Sequence, residues 1–82
     1  MSNATTAQLE RTVRRLVGEV LWLPEVDLAG STPLVEFGLD SPMAIELAVS
    51  IEDTFRVVLP EDAVAQLQTI DDIVRYLRSE VR

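Results

Sequence analysis

The chain predicts an all-α fold: a small bundle of three main helices plus one short helix, with a long loop between the first and second helices. Three observations predict it. Apolar residues recur at three- and four-residue steps in three separate stretches, the spacing of helices buried along one side. No stretch alternates apolar and polar residues as a half-buried strand does. Pro24, Gly30, Pro33 and Gly38 fall together between the first two stretches, which argues against a continuous helix there.

The first helix is expected over about Thr6 to Leu21. Leu9, Val13, Leu16, Val17 and Val20 form its buried stripe, and Thr5 or Thr6 can cap it. Glu10 and Arg14 stand at a favourable i,i+4 spacing, while Gly18 weakens the helix by about 1 kcal/mol. Residues 22–40 form the connection, long for so small a domain. Leu28, Leu34, Phe37 and Leu39 are expected to pin it to the core, with a short helical turn after Ser31 or Thr32.

The second helix is expected over about Ser41 to Phe55, with Ser41 as its N-cap and Pro42 as its first helical residue. At 100° per residue, Ala44, Leu47, Ala48, Ile51 and Phe55 cluster on one side and are expected to be buried. Pro42, Glu46, Val49 and Asp53 lie opposite, with Ile45 and Glu52 on one shoulder and Met43 on the other. That face mixes acids with apolar groups, as a docking surface does. Pro60 ends an extended piece, and Glu61 to Val64 open a short third helix. Thr69 with Asp72 resembles a capping box for the last helix, whose buried stripe is Ile70, Ile73, Val74, Leu77 and Val81. Residues 1–5 are read as a tail outside the fold and 6–82 as one domain.

Composition narrows the function. The 82 residues contain no cysteine, histidine or lysine. Disulfides, thiolate metal sites, Schiff bases and a base for a serine nucleophile are therefore absent, and no metal site is expected. Carboxylate-pair hydrolysis stays open in principle, but a chain this short leaves little room for a deep cleft. The chain is expected not to be an enzyme. It has no apolar run long enough to cross a bilayer, and its lack of cysteine fits a cytoplasmic protein. Net charge is −7, unevenly spread: residues 19–72 hold twelve acids against Arg56 alone, whereas both ends are mildly basic. Nucleic acid and membrane are not expected partners, and basic protein surfaces are. A monomer is expected.

The run Gly38-Leu39-Asp40-Ser41 opens the second helix. A helix N-terminus favours anions, so a phosphodiester built on Ser41 is expected to sit in a favourable field. Together with Thr32-Pro33-Leu34, Ile45-Glu46-Leu47, Phe55, Leu59-Pro60-Glu61-Asp62 and Thr69-Ile70, the run resembles the acyl carrier proteins of polyketide and fatty-acid synthesis. The resemblance covers nearly the whole chain and implies the same small bundle. It implies that Ser41 carries a covalent 4′-phosphopantetheine arm derived from coenzyme A, whose thiol holds an acyl group as a thioester. Gly38, Leu39 and Asp40 would be the flanking site residues, with Asp40 read by partner enzymes. A phosphopantetheinyl transferase would attach the arm. Ketosynthase, acyltransferase and other synthase enzymes with basic docking surfaces would then meet Pro42, Met43, Ile45, Glu46, Val49, Glu52 and Asp53.

The family usually has leucine or another large aliphatic residue where Pro42 stands. The residues after Ser41 resemble polyketide carriers, and Ile51-Glu52-Asp53-Thr54-Phe55 resembles discrete fatty-acid carriers; the polyketide type is favoured. Two other readings stay open. A peptidyl or aminoacyl carrier would share Ser41, although peptidyl carriers more often have histidine before the serine and a second glycine in place of Leu39. An unmodified acidic helical interaction module would use Ser41 only as a cap.

Overall fold

The computed structural model describes residues 5–80. The expected tail up to Ala4, and the placement of Val81 in the last buried stripe, lie outside them. The elements run α1 (Thr6–Leu21), a 3₁₀ turn (Glu25–Asp27), a second 3₁₀ turn (Leu34–Phe37), α2 (Ser41–Phe55), α3 (Glu61–Gln66) and α4 (Ile70–Glu80). α1 packs most extensively on α4 and next on α2.

Thr5 starts α1 through a reciprocal capping box. Its hydroxyl accepts from the Gln8 N–H at 3.1 Å, and the Gln8 side chain accepts from the Thr5 N–H at 2.9 Å. The whole predicted stripe is buried, and Leu21, which was not assigned to it, is buried as well. Gly18 is placed by packing: a Cβ there would stand 2.9 Å from the Leu23 carbonyl oxygen. The chain thus turns tightly over the end of α1, where Leu23 N–H returns to the Gly18 carbonyl at 3.1 Å.

The long connection is fastened at three points. Arg14, which pairs with Glu10 at 2.7 Å, also donates to the Leu28 carbonyl. The Gly30 carbonyl accepts from Asp71 N–H at 3.0 Å, and Leu34 N–H donates to the Gln68 carbonyl at 2.8 Å. Leu28 and Leu34 are buried, and Phe37 and Leu39 pack half-buried against the core, as expected. The first 3₁₀ turn was not foreseen, because its Glu25-Val26-Asp27 carries no buried side chain to set a period.

In α2 only Leu47 and Ile51 are buried. Ala44, Ala48 and Phe55, expected in the core, are half-buried. The two alanines are too short to fill the space under α3 and line an apolar cavity of about 50 Å³ instead. Phe55, the last residue of α2, packs half-buried against the edge of the core. Six-residue α3 begins after Pro60 and lays Val64 over that cavity.

α4 buries Ile70, Ile73, Val74 and Leu77. Its start is the expected capping box: the Thr69 hydroxyl accepts from Asp72 N–H at 3.0 Å, and the Asp72 carboxylate accepts from the N–H groups of Thr69 and Gln68 at 3.2 and 3.1 Å. Arg75 donates to the other carboxylate oxygen at 3.1 Å. Burial raises the Asp72 pKa, but these hydrogen bonds outweigh it and hold the carboxyl below the ordinary 3.8. A carboxyl depressed in the folded state stabilises the fold fully above the unfolded pKa and loses that contribution as pH falls through the folded one. Asp72→Asn is therefore expected to reduce the acid-induced loss of stability below about pH 4, read from urea midpoints measured across pH. A midpoint-versus-pH curve identical to the parent's would count against it.

Candidate functional site

The segment before α2 gives each of its residues a distinct task. Gly38 closes the second 3₁₀ turn, its N–H donating to the Val35 carbonyl at 3.0 Å. Its φ of +98° is what calls for glycine, since a Cβ would meet nothing within 4 Å. Leu39 turns its side chain to the core, and its N–H bonds the Leu34 carbonyl at 3.2 Å. Asp40 is extended, with φ −113° and ψ −177°, and its carboxylate accepts from Met43 N–H at 3.0 Å. Ser41 then stands exposed as the first residue of α2.

The N-cap is therefore Asp40, not Ser41, and Pro42 is the second helical residue rather than the first. Aspartate caps as well as serine does, and taking the cap leaves the Ser41 hydroxyl unengaged among the described residues. This also changes the field expected at the serine. Pro42 has no N–H, Met43 N–H is taken by the Asp40 carboxylate, and Ala44 N–H bonds the Asp40 carbonyl at 2.8 Å. Few donors at this helix start remain for an anion, and a carboxylate already occupies the favourable position.

The expected docking residues divide. Pro42, Glu46 and Asp53 are exposed, as are Ile45 and Val49, at 67% and 49%. Met43 is half-buried against the core, because it stands one turn before Leu47 on the same side of the helix. Glu52 is also half-buried and is occupied within the fold: its carboxylate accepts from Leu59 N–H at 2.8 Å and ties the α2–α3 connection to α2. The exposed face is thus narrower than expected: Pro42, Ile45, Glu46, Val49 and Asp53. Val35, 70% exposed in the turn ahead of the serine, was missed. A four-residue turn has no period to reveal which side chain faces water.

Residues 11–77 match the family model described as the phosphopantetheine attachment site. The chain belongs to this family. Phosphopantetheine carriers hold 4′-phosphopantetheine covalently, are modified by phosphopantetheinyl transferases, work with synthase partner enzymes, and are carriers rather than catalysts. Solved structures share the fold. A free-standing peptidyl carrier protein from a secondary metabolic pathway of Acinetobacter baumannii superposes with a TM-score of 0.82 at 24% identity, over 92% of this chain and 94% of that one. The HMG-ACP domain of the CurA module of Lyngbya majuscula gives 0.87 at 18% identity, over 99% and 82%. A protein described as an acyl carrier protein from Anaplasma phagocytophilum gives 0.84 at 28% identity, over 98% and 96%. No described helix of this carrier is long and apolar enough to cross a membrane.

Proposed function

We propose that Ser41 is the attachment site of the arm, and that this carrier, one domain over residues 6–82, holds acyl intermediates of polyketide type as thioesters. The carrying observation is the placement of Ser41: exposed, first in α2 and free of capping duty, directly after Gly38, Leu39 and Asp40. Acyl rather than peptidyl cargo is supported by Leu39 and Asp40, the two positions at which peptidyl carriers tend to differ. Here the first is used to anchor the loop and the second to cap the helix. The carrier works in the cytoplasm as a monomer, tethering its cargo at high local concentration. Intact mass after incubation with coenzyme A and a broad-specificity phosphopantetheinyl transferase tests the attachment. The holo protein is then offered malonyl-coenzyme A with a malonyl transferase, and separately an amino acid with ATP and an adenylating enzyme. Loading of malonyl but not aminoacyl is expected; the reverse would make this a peptidyl-type carrier.

Ketosynthases and acyltransferases are proposed to meet Ile45 and Val49 with an apolar patch, and Glu46 and Asp53 with arginines or lysines. Glu46→Lys is expected to lower kcat/KM with such a partner about threefold to tenfold at low salt, a difference shrinking toward 0.5 M salt. Equal kinetics at low salt would remove Glu46 from the interface.

The phosphate on Ser41 gains little from α2, for want of free N–H groups. Adding the arm to the parent is expected to leave its stability nearly unchanged. In Pro42→Ala, which restores one N–H, the holo form is expected to exceed its own apo form by about 0.3–1 kcal/mol. Comparing holo-minus-apo differences in urea midpoint cancels the effect of the substitution itself.

A further inference from the structure

The single tryptophan of this chain stands where neither packing nor backbone favours it. Trp22 follows α1 with φ 59° and ψ 40°, the left-handed conformation that helix ends normally give to glycine or asparagine. Its side chain is 90% exposed, so it adds almost nothing to the core. Val26, on the turn that follows, is 89% exposed. A strained residue with a large unburied side chain points to use outside the fold.

The surroundings are acidic. Glu19, Glu25 and Asp27 are exposed beside Trp22 and Val26 in the chain. Arg15 reaches Glu19 at 3.4 Å, and among the described residues no cation lies within ion-pair distance of Glu25 or Asp27. We propose that Trp22 and Val26 form a docking surface apart from α2, and that its occupant is an apolar, cation-rimmed pocket on the phosphopantetheinyl transferase. The inference rests on the reading of Ser41 as attachment site.

Charge selects a basic occupant. A second copy docking through the same patch would set acids against acids, and anionic lipid would meet the same repulsion. The transferase is favoured over the synthase enzymes because it must grip the carrier before an arm exists. Later partners also hold the arm and its cargo; the transferase has only protein surface, where an aromatic anchor contributes most.

The test uses apo protein, coenzyme A and the broad-specificity transferase. Trp22→Ala is expected to lower kcat/KM about tenfold or more, chiefly through KM. Trp22→Phe should keep most of the parent rate, and Val58→Ala, which truncates another exposed apolar side chain elsewhere, should keep all of it. Trp22→Gly separates docking from folding: glycine relieves the left-handed strain, so Tm should rise by about 4 °C while kcat/KM falls as in Trp22→Ala. With 5-fluorotryptophan in the carrier, the one ¹⁹F resonance should shift or broaden on adding unlabelled transferase. Parent-like kinetics for Trp22→Ala and Trp22→Gly, with an unmoved resonance, overturn the inference and leave the attachment reading standing. No mass gain in the parent itself overturns the attachment reading, and the inference falls with it.

Discussion

Ser41→Ala is expected to abolish phosphopantetheinylation and leave the fold intact. On the proposed reading the Ser41 hydroxyl is the nucleophile; Ser31 is exposed too, but it lies in the loop and does not open a helix. Ser50 lies half-buried in the middle of α2, and the Ser79 hydroxyl donates to the Tyr76 carbonyl at 2.8 Å. Stability should change by less than about 0.5 kcal/mol, as for an exposed residue away from special structure, because Asp40 keeps the cap. Asp40→Ala is the mirror case: it should cost about 0.5–2 kcal/mol with the serine still present. Intact mass and urea midpoints on both variants read the two effects separately. A mass gain in Ser41→Ala would move the attachment to another serine. A stability loss near 1 kcal/mol in that variant would return the capping role to Ser41.

Leu77→Ala is expected to be the most damaging single change to the fold. Leu77 is fully buried in α4, the helix that packs most extensively on α1. Removing a buried leucine side chain costs about 2–5 kcal/mol, part transfer and part cavity. A domain of this length has a total stability of roughly 4–12 kcal/mol, so the variant is left with a fraction of it. Urea unfolding followed by circular dichroism should show a midpoint lowered by a third or more, while Val35→Ala, exposed in its turn, should stay near the parent. A Leu77→Ala loss below about 1 kcal/mol would mean that α4 is not seated as described.

The helices were legible because their burial is periodic. α1 and α4 face the core along one stripe, and every position assigned to those stripes within the described residues is buried. α2 was read correctly in extent and too generously in depth, since sequence spacing gives the direction of Ala44 and Ala48 but not the layer that covers them. Non-periodic contacts were not legible. Nothing in the spacing of Arg14 and Leu28, or of Gly30 and Asp71, announces that a guanidinium or a backbone amide will fasten the loop. The cap was misassigned by one residue because Asp40 and Ser41 are equally competent, and only backbone conformation chooses between them. Glu52 looked available because its carboxylate lies on an exposed shoulder; its bond to Leu59 depends on how the chain turns after α2.

The fastening of the long loop has a consequence for the order of events during synthesis. Two of its three anchors, Gln68 and Asp71, lie well after Ser41 in the chain, at the entrance to α4. A nascent chain that has exposed α1 and α2 but not α4 has no partner for Leu34 N–H or the Gly30 carbonyl, and no α4 against which to bury Leu34. The serine emerges early, but the setting that presents it is assembled only when the last helix leaves the ribosome. On the proposed reading, attachment of the arm is expected to follow completion of the fold, and a chain cut before α4 is expected to be a poor substrate although Ser41 is present.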